Sequence, residues 1–164
     1  LLADDGGKFM PNKEWSRLSH MQLGKYAEYY AKMEFASYGF EVYTSEVDDH
    51  GIDFVAKRKD GGFLEIQVKA VRDTNYVFMR KDKWQIENDS LYLVLLLFED
   101  GLLPNVYLIP AKAWNETNTL LCEKNYEGKI SKPEYGLNLS RKNETLLERY
   151  GLEEALLLYD TKCR

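Results

Sequence analysis

The chain has 164 residues, enough for one domain with a sizeable core and too few for two comfortable ones. Hydrophobic residues make up 45% and charged residues 30%, which excludes a disordered polymer. The net charge of −5 weighs against an extended phosphate-binding surface, although it says little about any one face. The predicted elements begin with a helix from Ser19 to Tyr38. Leu23, Ala27, Tyr30 and Met33 recur there at three- and four-residue steps, and Gly39 stands where a C-cap belongs. Gly24, Ala27 and Ala31 add a small-residue stripe suited to close packing on a sheet. Phe40–Thr44 alternates as a strand, Asp48-Asp49-His50-Gly51 is turn chemistry, and Ile52–Lys57 is a second strand. Gly61-Gly62 turns that strand back into a third, Phe63–Val71. A short strand at Tyr76–Met79 and a helical turn around Lys81–Glu87 follow.

Leu91–Phe98 is an unbroken apolar run, too short for the roughly 20 residues that span a bilayer and too apolar for a strand with one wet face. It predicts a central strand covered on both sides. Val106–Ile109 is another strand, closed by Pro110, and Ala111–Trp114 starts a short helix. Past residue 116 the pattern weakens to polar loops and a helix over Asn143–Tyr150. The fold class that follows is α/β, with helices packed on a mixed sheet. The opening LLADDGGKFM lacks the basic start and apolar stretch of a signal peptide and reads in part as an expression remnant. Cys122 and Cys163 match no metal-ligand spacing, so a cytoplasmic location is expected.

The chemistry concentrates in the third strand. Alternation puts Glu65, Gln67 and Lys69 on one face, with Leu64, Ile66, Val68 and Ala70 between them. The hairpin brings Asp53 toward Gln67 and Lys69. An aspartate oxygen and an amide oxygen are hard ligands of the kind Mg²⁺ accepts, and a lysine beside them suits phosphoryl chemistry. The bland alternative is a solvated hairpin face whose charges pair across strands. Glu28 reads equally well as a helix glutamate paired with Lys25 or Lys32. Asp48, Asp49 and His50 read as turn formers and not as ligands. Arg72, Arg80, Lys81, Lys83 and Trp84 offer either phosphate contacts with a stacking surface or a charged helix face with Trp84 in the core.

Gly51-Ile52-Asp53, Gln67-Val68-Lys69 and a preceding helix that carries Glu28 resemble the PD-(D/E)xK nuclease superfamily, in the Mrr-type and Holliday-junction-resolvase-like forms whose second acid is a glutamine. The resemblance implies a restriction-endonuclease-like core over residues 19–116, with 1–18 and 117–164 as extensions. It implies metal binding by Asp53, Gln67 and the Val68 carbonyl, Lys69 as the catalytic lysine, and Glu28 in support. It further implies Mg²⁺ or Mn²⁺ as cofactor, DNA as substrate, and a homodimer where two strands are to be cut. Two positions depart from the pattern. Ile52 replaces the usual proline before the aspartate, and Gln67 gives up a negative charge, which Glu65 on the same face could supply. A degenerate nuclease-fold module that binds nucleic acid or protein is the alternative.

Overall fold

The computed structural model describes residues 9–44 and 51–161. The expectation for Asp48, Asp49 and His50 therefore lies outside the described residues, as does that for Cys163. Helix α1 (His20–Ser37) begins with a capping box. The Ser19 hydroxyl accepts from the Gln22 N–H at 3.2 Å, and the Gln22 side chain accepts from the Ser19 N–H at 2.9 Å. The helix ends where Gly39 takes φ of 85°, a conformation open to glycine without a Cβ penalty. Its buried stripe is Leu23, Ala27, Ala31 and Phe35, one residue per turn. This corrects the expected stripe, because Met33 faces outward at 58% exposure. Gly24 also falls out of the small-residue seam, since a Cβ there would meet nothing within 4 Å. Ala27 and Ala31 alone let α1 lie close on the sheet.

Strands β1 (Glu41–Thr44), β2 (Phe54–Lys57) and β3 (Phe63–Val71) form an antiparallel meander. β4 (Tyr76–Arg80) then leaves this sheet, and β5 (Leu91–Leu97) returns to pair with β3 in parallel. β6 (Asn105–Pro110) closes the order β1-β2-β3-β5-β6. Around Lys81–Glu87 the expected helical turn is one turn long and grows no further. The N–H groups of Lys83 and Trp84 both reach the Arg80 carbonyl, making a single turn, after which the Asn88 side chain bonds the Ser90 N–H and turns the chain into β5. The crossover from β3 to β5 therefore carries the short strand expected at Tyr76–Met79, followed by a single turn. β4 pairs with β8 (Glu134–Asn138), which in turn pairs with β7 (Leu121–Lys124), forming a second, three-stranded sheet.

The five-stranded sheet thus has a core on each face. One holds the α1 stripe with Phe54, Ala56, Leu64, Ile66, Val94 and Leu96, joined by Leu152 and Leu156 of α3 (Leu152–Thr161). The other packs Leu91, Leu93 and Leu95 against Met79, Trp84, Trp114, Leu121 and Leu137, with Leu147 from α2 (Glu144–Glu148). Leu93–Leu96 are fully buried, as the apolar run predicts. The helix expected over Asn143–Tyr150 is shorter, a 3-10 turn at Arg141–Asn143 leading into α2. Among the described residues, no helix is long and apolar enough to cross a membrane.

Candidate active site on the β2–β3 hairpin

In β3 the even positions Leu64 and Ile66 enter the α1 core. Registry with β5 sets Glu65 beside Leu91, Gln67 beside Leu93 and Lys69 beside Leu95. Residues in register share a face, so all three polar side chains point to the face that carries the second core. They are half-buried and not fully solvated, so the simple wet-face reading does not describe them. Neither Gln67 nor Lys69 makes a side-chain hydrogen bond or ion pair with another described residue, whereas Glu65 accepts from the Asn88 amide at 2.8 Å.

The backbone explains where Asp53 goes. The Glu65 N–H bonds the Ser90 carbonyl, while the Ile66 carbonyl accepts the Asp53 N–H at 2.8 Å. Odd residues of β3 therefore present their peptide groups to β5, and even residues present theirs to β2. β2 begins at Phe54, which pairs with Ile66, so Val68 lies past the last rung of the ladder. The Asp53 carboxylate takes the vacated place, accepting the Val68 N–H through Oδ2 at 2.6 Å. Such a bond to an ionised acceptor is short and strong, and it fixes the carboxylate at the strand edge to which the Val68 carbonyl also points. The hairpin was expected to bring Asp53 toward Gln67 and Lys69. In the structure Asp53 bonds the backbone of the residue between them.

Two further groups border this edge. Gly51 sits at φ of 74°, and a Cβ built there would lie 3.4 Å from Gln67 Nε2 and 4.0 Å from Lys83 Cδ. The Gln67 amide and the Lys83 stem thus border the space a side chain at Gly51 would take, a placement that Gly51-Ile52-Asp53 signals by position only. On α1, Lys25 Nζ meets Glu28 Oε2 at 2.5 Å. That hydrogen bond and the charge of Glu28 hold the Lys25 ammonium above its ordinary pKa, and the Asp53 charge adds to the effect. The α1 pair and Asp53 therefore lie within electrostatic reach of one another. The expected pairing of Glu28 with a helix lysine is present.

The other basic candidates separate clearly. Arg72 donates to the carbonyls of Trp15 and Leu18 and tethers the N-terminal turn. Arg80 pairs with Asp82, Lys81 pairs with Glu123, and Trp84 is buried against Trp114 at a ring distance of 5.8 Å. Lys83 is the member of that group that borders the site. Among the described residues no three His, Cys, Asp or Glu side chains cluster as a metal site. The available donors are hard oxygens: the Asp53 carboxylate, the Val68 carbonyl, the Gln67 amide and, across the gap, Glu28. One or two carboxylates with neutral oxygens and water is a set that Mg²⁺ or Mn²⁺ accepts and that softer metals do not favour.

No protein-family model matches the sequence, and no curated protein sequence matches it either. Solved structures do. Hjc, a Holliday junction resolvase from Archaeoglobus fulgidus, aligns over 81% of this chain and 94% of its own, with a TM-score of 0.53 and 15% identity. The bacterial homing endonuclease I-Ssp6803I aligns over 88% of this chain and 96% of its own, with a TM-score of 0.54 and 19% identity. The chain has the restriction-endonuclease-like fold. The nuclease fold covers most of the molecule, including residues beyond the motif, and it is the fold that the likeness to PD-(D/E)xK nucleases implies. At these identities the match concerns architecture, and the site must be argued from its own residues.

Proposed function

We propose that this chain is a metal-dependent nuclease that hydrolyses phosphodiester bonds in DNA at the Asp53–Gln67–Lys69 edge. The observation that carries the reading is the 2.6 Å bond from the Val68 N–H to Asp53, made where β2 has ended and beside two polar side chains without partners among the described residues. A carboxylate and a carbonyl are thereby held at one strand edge, inside a fold shared with two nucleases. Asp53, Gln67 and the Val68 carbonyl would hold Mg²⁺ or Mn²⁺, with Glu28 in support. The ion supplies positive charge against the phosphate and acidity to a water molecule. Asp53 keeps one oxygen oriented by its bond to Val68. Lys69, on the same strand, donates to a phosphate oxygen and steadies the charge that builds as water attacks. A second copy of the chain would serve the other strand of a duplex. The test is cleavage of plasmid, linear and single-stranded DNA with Mg²⁺ or Mn²⁺ by wild type and Lys69→Ala. The reading expects metal-dependent cutting by wild type and a loss of at least about 100-fold in the variant, the scale of removing one preorganised donor. Wild type that never cuts, or a variant that cuts as well, overturns it.

One observation favours a second reading, a non-cleaving module that binds nucleic acid. Glu28 is already engaged by Lys25, Glu65 by Asn88, and Gln67 brings no charge, so among the described residues Asp53 is the carboxylate that the β3 backbone holds at this edge. Titration calorimetry with Mn²⁺ separates the two readings, since the module predicts no heat of binding.

A further inference from the structure

Beside Gln67, on the second-core face of β3, lies an open cleft of about 410 Å³, within the size range of small-ligand sites. Ile52 and Leu91 supply the apolar part of its lining. Its polar groups are arranged by bonds already described. Asn88 is locked at both ends, its oxygen by the Ser90 N–H at 2.9 Å and its amide nitrogen by Glu65 Oε2 at 2.8 Å. Glu65 is thus held in place with its second oxygen left to accept. Asp82, also at the rim, is occupied by Arg80 and lies 3.6 Å from Lys132. Lys83 and Gln85 are exposed and supply donors. Two apolar side chains beside an oriented acceptor and two donors suit a nucleobase, whose faces are apolar and whose edges carry donors and acceptors.

The cleft adjoins the candidate site: its lining residues Ile52 and Glu65 stand one and two positions from Asp53 and Gln67. The space a Cβ at Gly51 would take is bordered by the Gln67 amide and the Lys83 stem, and Glu65 precedes Gln67 by two strand residues, about 7 Å. We propose that this cleft receives one unstacked nucleobase of the bound strand, next to the phosphate held at Gln67 and Lys69. The inference rests on the nuclease reading for the position of that phosphate. A base still stacked in a duplex cannot enter, so the cleft selects strands whose nucleotide at the cut is already unpaired. Forced unstacking would lower the affinity for a fully paired strand.

The experiment is a binding cycle that needs no cleavage. Short single strands of equal length, each lacking one base in turn, are titrated by fluorescence anisotropy in Ca²⁺ buffer against wild type and Lys83→Ala/Gln85→Ala. Both side chains are exposed, and circular dichroism checks that the double variant folds. Wild type should lose roughly 5- to 150-fold in affinity at one abasic position, the scale of a stacked base. The double variant should bind the intact strand more weakly and show most of that penalty erased. A flat abasic scan in wild type, or the same penalty in the double variant, overturns the proposal. Failure of wild type to cut DNA with Mg²⁺ would instead sink the nuclease reading, and the abasic cycle would still report on the cleft.

Discussion

At residue 67 an amide stands where a second carboxylate would give a divalent cation more charge. Its side chain lies against Gly51 and has no hydrogen-bond partner among the described residues, so it can turn its oxygen toward the Asp53 edge. Gln67→Glu tests whether it faces a cation. An added unit charge within about 4 Å of a cation is worth at least about 1 kcal/mol even at the dielectric of water. Mn²⁺ affinity should therefore rise about fivefold or more in titration calorimetry. If the variant binds no tighter than wild type, Gln67 is not a ligand. The alternation of Phe63–Val71 makes these polar positions legible in the sequence, because the apolar residues between them can face only one core. The Asp53–Val68 bond has no such signature. It depends on β2 starting one residue after Asp53, and strand ends follow from pairing and not from composition.

At the scale of elements, α1 sets the distance between Glu28 and the hairpin. Ala27 and Ala31 are fully buried on the sheet, so the helix has no slack on that side. Ala31→Leu should cost about 1–3 kcal/mol by overpacking. The midpoint of urea unfolding should drop with its slope unchanged; an unaltered midpoint would mean that the seam is looser than its burial indicates. The helix is readable from its period and caps, yet the expected stripe errs at Met33, because a three- or four-residue step leaves the exact azimuth open. The turn at Lys81–Glu87 stays short for a different reason. Its residues favour helix, but the Asn88 side chain competes for the backbone and ends the turn early. β7 and β8 are hidden in the sequence because they are short, because Gly136 interrupts the β-formers, and because β8 pairs with a strand more than fifty residues away. Such pairing leaves no local signature.

For the whole molecule, the segment ahead of α1 acts as a clasp. Trp15 is 2% exposed, packs edge-on against Phe98, and donates its indole N–H to the Leu102 carbonyl at 2.9 Å. The Gly101 N–H reaches the Lys13 carbonyl, and Asp100 accepts the Ser16 N–H at 2.9 Å. The hydroxyl and N–H of Ser16 hold the Asp100 carboxyl below its ordinary pKa. A depressed folded pKa gives stability that is present above the unfolded value, about 3.9, and is lost as pH falls through the folded one. Asp100→Asn should therefore flatten the acid limb of a melting-temperature profile below about pH 4 and leave the shape near neutrality unchanged. A parallel acid limb in the variant would show that other carboxylates carry it.

The crossover strand β4 also has a bearing on how the protein is made. Its hydrogen-bonding partner, Glu134–Asn138, is synthesised long after β3 and β5. Until that interval is translated, Lys69 and Gln67 already exist beside Met79 and Trp84, but Leu137 and Leu147, which complete the cover over Leu91, Leu93 and Leu95, do not. A nascent chain therefore carries the candidate catalytic side chains on a face whose apolar cover is still incomplete.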